Sequence, residues 1–303
     1  MNKKTTHNII KAKINKWLAS ITDAQLRGDV KESLIVSGGC IASLLCGEDV
    51  NDYDIYIRDM DVLMRLADYY EVSAYDGRLR DKYIVEHKEA IGEDGLEEGD
   101  DDYDHLTMLS VFFRTMKPDQ VKLMVAGHGE VTKYDAPPEG EELPAFRKLF
   151  TSQNAISLSD DIQIVTRFTG TAAEIHKNYD FIHATNYFTM EDGLVCNEAA
   201  LMSLLTKTLY YQGSLYPLTS IIRMKKFIIR KWRINAGEIL KILFQVSQLD
   251  LEDIDVLEEQ LIGVDVAYFS NLIAVLRTKQ KESEGVGGIV EKFLTEEIEK
   301  LFN

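Results

Sequence analysis

Asp52 and Asp54 stand at i and i+2, one before and one inside the alternating run Tyr53–Ile57. On a strand, that spacing turns both side chains to one face. Paired carboxylates are the hard oxygen donors that Mg²⁺ prefers, and Mg²⁺ keeps several waters. Such a pair can therefore hold the ion against a polyphosphate. Upstream, Gly38 and Gly39 follow the apolar run Leu34-Ile35-Val36 and Ser37. A glycine pair at a strand end lets backbone N–H groups come close to phosphate oxygens. Taken separately, each half has a plain reading: a solvated strand edge in an acidic protein, and a surface turn. Taken together they read as strand, Gly-Gly, a short helix over 40–46, and an Asp-x-Asp entering a second strand.

The elements that must position these residues follow from periodicity. Residues 7–26 place Ile9, Ile10, Ile14, Trp17, Leu18 and Ile21 near helical spacing and predict one amphipathic helix. Residues 34–36 and 53–57 predict strands, and 61–70 a helix. Further strands are expected over 107–113, 120–126, 162–168 and 181–189. Residues 92–104 combine glycines with a block of acids and read as a solvated loop, without the glycine and glutamate positions of an EF-hand. Residues 135–144 read as another loop. Asn197 is a good N-cap for a helix over 198–211 that Gly213 would end, and the rest reads as helices. The division expected is a mixed α/β part over 1–213, with long insertions at about 60–160, and an α-helical part over 214–303.

One basic stripe stands out. Arg223, Lys226, Arg230 and Arg233 are spaced three, four and three apart, so a continuous helix would align them on one face. Ile221, Met224, Ile228 and Trp232 would line the other. The plain reading is an amphipathic helix with a solvated side. The functional reading is a local contact to phosphate or RNA.

That distinction matters because the 303-residue chain carries 34 basic and 50 acidic residues, a net charge of −16. Such a balance excludes coating of nucleic acid through global charge and leaves only a local basic surface for it. The three cysteines form no Cys-x-x-Cys pair, which suits a reducing compartment. The six histidines form no His-x-x-x-His pair of zinc type, and His183 reads as a packed histidine or a lining residue of the site. A P-loop and a Gly-x-Ser-x-Gly elbow are absent. Apolar runs fall short of the ~18 residues of a membrane span. Lysines 11, 13 and 16 interrupt any signal-peptide core, so a cytoplasmic protein is expected.

Residues 36–57, VSGGCIASLLCGEDVNDYDIYI, resemble the signature of polymerase-β-type nucleotidyltransferases, most of all the CCA-adding enzyme and bacterial poly(A) polymerase branch. Twelve residues lie between Gly39 and Asp52, as in that family, and Leu44-Leu45-Cys46-Gly47 falls where the family has Leu-Leu-x-Gly. Residues 179–187, YDFIHATNY, resemble the family's Arg-Asp-Phe-Thr-Ile-Asn motif, keeping Asp180 and Phe181. Residues 223–230, RMKKFIIR, resemble its neck helix, with Arg223, Phe227 and Arg230 matching and Lys226 replacing an arginine. The 150–190 stretch also resembles nucleotidyltransferase-like proteins of bacteriophages. The chain departs from the family at Ala42 and Ser43, where an Arg-Asp pair is usual. It also departs at Tyr179, at Ala184 in place of the motif's asparagine, and at Gln163, on the strand that often bears a third carboxylate.

The resemblance implies an α/β nucleotidyltransferase head with a mixed sheet, followed by a helical neck and body. It implies transfer of a nucleoside monophosphate from an NTP to an acceptor hydroxyl, most naturally an RNA 3′ end. Asp52 and Asp54 would hold two Mg²⁺ ions. Ser37, Gly38 and Gly39 would cradle phosphates, and Asp180, Arg223, Lys226 and Arg230 would contact the nucleotide. Two other outcomes are open: transfer to a protein or small molecule, and a catalytically silent relative that binds a partner.

Overall fold

The computed structural model describes residues 2–86, 112–113, 116–125, 129–134, 142–251 and 253–261. The chain divides into two compact units. One comprises Met1–His176 with Ala184–Asn197, the other Lys177–His183 with Glu198–Asn303.

The first unit is a mixed sheet with helices. Where one helix was expected over 7–26 there are two, α1 (Lys3–Ser20) and α2 (Ala24–Ser33). The break comes from Asp23, whose carboxylate accepts from the Leu26 N–H at 2.9 Å and caps α2. Ile10, Ile14 and Trp17 of α1 are fully buried. The Trp17 indole N–H donates to the Tyr70 hydroxyl at 3.0 Å, just past α4 (Met60–Tyr69). β1 (Leu34–Ser37) is buried throughout and leads into α3 (Gly39–Cys46). Gly47 ends α3 in the left-handed region (φ 73°), as a helix C-terminal glycine does. β2 (Tyr53–Ile57) pairs antiparallel with β1, setting Ser37 opposite Asp54.

Beyond α4 come β3 (Ala74–Asp76), a 3₁₀ turn at Gly77–Leu79 and α5 (Arg80–Glu86). β4 (Val121–Leu123) pairs with β3 in a separate two-stranded sheet. The chain returns to the main sheet with β5 (Glu130–Val131), β6 (Lys148–Ser152), β7 (Ala155–Leu158) and β8 (Ile162–Val165). β8 runs parallel to β2, and β9 (Tyr187–Thr189) and β10 (Gly193–Val195) complete the order β10-β9-β1-β2-β8-β7-β6-β5. The strand expected over 181–189 is therefore confined to Tyr187–Thr189, after a 3₁₀ turn at Ile182–Ala184. Of the strand expected over 107–113, Phe112 and Phe113 are helical and the rest lies outside the described residues, as does the acidic segment 92–104.

The described residues of the second unit are mostly helical. Its first helix, Glu198–Thr206, stops well short of Gly213 because the chain turns into β11 (Thr208–Leu209). Pro217–Ile229 forms the next helix, with proline in its first turn. β12 (Arg233–Ile234) pairs parallel with β11, and helices Ala236–Val246 and Ile254–Leu261 follow. Phe181, Tyr211, Trp232 and Ile242 are buried here. Among the described residues no helix is long and apolar enough to cross a membrane.

Candidate functional site

The turn after β1 shows why two glycines stand together. Gly38 adopts φ 90° and ψ −150°, a conformation that L side chains rarely reach. Gly39 opens α3, and a Cβ built on it meets nothing within 4 Å. Gly38 is thus required by the backbone, and Gly39 leaves an opening that a side chain would fill. The N-cap residue of α3, Gly38, has no side chain to cap the helix. Its N–H groups and positive dipole end suit an anion.

Asp52 immediately precedes β2 and Asp54 lies within it. Both act on Cys40, one residue past the glycine pair. Burial pushes the Cys40 thiol far up, Asp54 and then Asp52 add to this, and the Asp54 backbone N–H opposes it. Both carboxylates are thus near the Cys40 thiol, in the first turn of α3. Burial also raises the Asp52 carboxyl above the usual range, and Asp161 adds to the rise. A bound cation would relieve both effects.

Asp161 is a residue that sequence reasoning missed. The register of the parallel β2–β8 pair, Tyr53 opposite Ile162, sets it beside Asp52, and its carbonyl accepts from the Tyr53 N–H at 2.8 Å. It adopts φ 54° in the turn before β8. Gln163, on the strand where the resembled family often bears a third carboxylate, sits opposite Asp54 and donates to Ser157 Oγ at 3.3 Å. Asp161 is engaged by Lys13 of α1, whose ammonium lies 3.2 Å from the carboxylate and 5.2 Å from the centre of the Tyr53 ring. The Asp160-Asp161 doublet was visible in the sequence. Its place beside Asp52 follows only from the parallel pairing.

The donor set fits Mg²⁺ in its chemistry. Asp52 and Asp54 offer hard oxygens beside an open helix N-terminus. Among the described residues no group of three or more His, Cys, Asp or Glu could hold a metal ion. The remaining ligands would be water and phosphate oxygens, which Mg²⁺ accepts readily.

The other predicted residues lie in the second unit. Asp180 is buried, and its carboxylate accepts from the Arg223 guanidinium at 2.9 Å. Two residues expected to contact a nucleotide thus pair with each other. The helix carrying Arg223 and Lys226 ends at Ile229, and Arg230 is its C-cap, with its guanidinium 5.5 Å from the centre of the Phe227 ring. The four-residue stripe is corrected here: Arg233 belongs to β12, opposite Thr208. The apolar face is corrected as well. Ile222 is the buried isoleucine, Ile228 is exposed, and Trp232 lies beyond the helix. His183 is the packed histidine of the plain reading, 4.6 Å from Phe227 and 4.9 Å from Trp232 between ring centres.

The model of a protein family, described as Gabija anti-defense 2 family protein, matches residues 8–207. The chain belongs to the Gabija anti-defense 2 family. The range matched to this family contains Ser37, Gly38, Gly39, Asp52, Asp54 and Asp180 and stops before Arg223. No curated protein matches the chain. Among solved structures it is similar to a tRNA-processing enzyme with CTP (TM-score 0.39, 14% identity, covering 90% of this chain and 57% of that one). It is also similar to the Thermotoga maritima CCA-adding enzyme complexed with tRNA (0.38, 13%, 87% and 54%). A third is the Bacillus stearothermophilus CCA-adding enzyme in complex with CTP (0.37, 12%, 85% and 50%). The Gabija anti-defense 2 chain spans about half the length of these structures. Superposition at this level does not by itself assign an activity.

Proposed function

We propose that this chain is a Mg²⁺-dependent nucleotidyltransferase that moves a nucleoside monophosphate from an NTP to an acceptor hydroxyl. The observation that carries the reading is one juxtaposition in the first unit: Asp54 opposite Ser37 in the β1–β2 register, and Asp52 and Asp54 both near Cys40 at the start of α3, which opens at Gly38 and Gly39. The N–H groups at the start of α3 bind the triphosphate, and Ser37 holds the turn from below. Asp52 and Asp54 hold the metal, which when bound lowers the pKa of the attacking hydroxyl and neutralises the leaving group. The acceptor oxygen bonds to the α-phosphorus, the bond from that phosphorus to the β-phosphate oxygen breaks, pyrophosphate leaves, and the hydroxyl proton passes to solvent. In the second unit, Lys226 and Arg230 offer exposed cations to phosphate groups.

A second acceptor class is favoured by two observations. The net charge of −16 repels a long RNA. The family description also names a defence system as what its members oppose. On this reading the acceptor is a protein or small molecule of Gabija defence, and modification disables it.

Incubation with labelled NTPs, with and without Mg²⁺, against total RNA, protein extract and small-molecule extract separates these readings. Asp52→Asn with Asp54→Asn should abolish labelling and leave the fold intact, because removing adjacent like charges is neutral or mildly stabilising without metal. Full labelling by the double variant would refute the enzyme reading. Anti-defence activity retained by that variant, with no labelling by the wild type, would identify a silent binding protein.

A further inference from the structure

Ser37 is fully buried at the last position of β1, one residue before the Gly38 turn. Its Oγ has two polar neighbours. It donates to the Asn186 carbonyl at 3.0 Å, and His176 Nε2 lies 2.8 Å away. A hydroxyl has a single proton to give. With that proton on the Asn186 carbonyl, the second bond runs from His176 Nε2–H to Ser37 Oγ. The imidazole is thereby fixed as the Nε2–H tautomer. Burial pulls its pKa down to about 4, so it is neutral at pH 7. The same stretch is held from two further sides. The Gly38 N–H donates to the Ala184 carbonyl at 3.3 Å, and the Cys40 thiol donates to the Ser37 carbonyl at 3.6 Å. His176 ends the short helix Ala172–His176, whose Ile175 is fully buried and whose start is fixed by Glu174 accepting from the Thr171 N–H at 2.7 Å. It is therefore a firmly held donor aimed at the residue that precedes the phosphate turn.

We infer that His176 is a positioning residue for the phosphate turn: by donating from Nε2–H to Ser37 Oγ it holds residues 37–39 so that the N–H groups opening α3 stay aimed at a triphosphate. This rests on the nucleotidyltransferase reading of Gly38 and Gly39. His176 acts through Ser37 and does not itself take part in the chemistry. Misplacement of such donors by a fraction of an ångström weakens their grip on a polyanion without disturbing the carboxylates.

The test uses the full chain with His176→Ala, His176→Gln, Ser37→Ala and the double variant His176→Ala with Ser37→Ala. Glutamine is included because its side-chain amide can still donate to Ser37 Oγ. Two quantities are read: amide hydrogen exchange at Gly38, whose N–H is bonded to the Ala184 carbonyl, without nucleotide, and the Kd for Mg·ATP and Mg·CTP by calorimetry. His176→Ala should speed exchange of the Gly38 amide about tenfold and weaken nucleotide binding about tenfold. His176→Gln should restore most of both. Ser37→Ala loses the bond to the Asn186 carbonyl as well, so its losses should be at least those of His176→Ala, and the double variant should be no worse than Ser37→Ala, because the His176 bond is already gone there. Unchanged exchange in His176→Ala, or additive losses in the double variant, would overturn the inference. A wild-type protein that binds neither nucleotide overturns the nucleotidyltransferase reading, and the phosphate role of His176 with it. Glutamine rescue of the exchange would then show a backbone tether alone.

Discussion

Gly38 and Gly39 are adjacent and are glycine for different reasons. Gly38 holds a backbone conformation with φ 90° that a side chain would strain. Gly38→Ala should therefore destabilise the protein by about 1–3 kcal/mol, read from the urea midpoint. Gly39 opens a helix into empty space, and alanine is the better helix former there. Gly39→Ala should leave stability unchanged or raise it by about 0.5–1 kcal/mol, while its methyl fills the opening and weakens Mg·ATP binding. Unimpaired Mg·ATP binding by Gly39→Ala would remove the phosphate role from that glycine. Asp52 and Asp54, the proposed metal ligands, are singled out by type and spacing alone. Asp161, Lys13 and His176 are not, because each reaches this region from a segment far away in sequence.

The helix Pro217–Ile229 carries two kinds of cation. Arg223 is bound to the buried Asp180, whose side chain is 11% exposed against 43% for the arginine. Lys226 is on the exposed side. Arg223→Ala leaves a buried carboxylate without its guanidinium and should cost about 1–3 kcal/mol, below the figure for a wholly buried pair because the arginine is partly in water. Lys226→Ala should change stability by less than about 0.5 kcal/mol. If the basic side meets RNA, Lys226→Ala should also reduce the magnitude of the log-affinity versus log-salt slope by roughly 0.7–0.9. Thermal melts and a salt titration of RNA binding check these in turn. Equal melting temperatures for the two variants would mean that the Asp180–Arg223 pair contributes nothing. Spacing in the sequence placed Arg233 on this helix. The chain instead leaves the helix at Ile229, and Lys231 adopts φ 64° before the turn into β12. A charge pattern cannot report where a helix stops.

For the molecule as a whole, the −16 charge makes acidification a test of what is buried rather than of what is charged. His183 is 5% exposed, and burial pulls its pKa from 6.5 to about 4, with Asp180 opposing and Arg230 assisting. Above about pH 6.5 the imidazole is neutral in both the folded and the unfolded chain and has no effect. Between 6.5 and 4 the unfolded chain takes up the proton and the folded chain does not, so stability falls as pH falls. Below about 4 the loss is complete, on the order of 3 kcal/mol. His176 acts in the same direction in the first unit. Urea denaturation at pH 7.5 and pH 4.5 should show His183→Leu losing markedly less stability on acidification than the wild type. An identical pH dependence in the two would show that His183 protonates without unfolding.

By itself the sequence determined the local parts of this protein. An apolar run of three residues, two glycines, an eight-residue helix and an alternating strand each follow from propensity over a few neighbours, and β1, α3 and β2 form where the pattern puts them. The two carboxylates and the Gly38-Gly39 turn fall within that stretch, so their proximity was readable. Only the tertiary structure decided what surrounds them. The parallel pairing of β8 with β2 brings Asp161 to Asp52 across more than a hundred residues of chain, and α1 delivers Lys13 to the same place. The 172–186 segment returns His176 and the Asn186 carbonyl to Ser37. Strand pairing depends on which apolar faces are buried together, and that is a property of the whole unit rather than of any window along it.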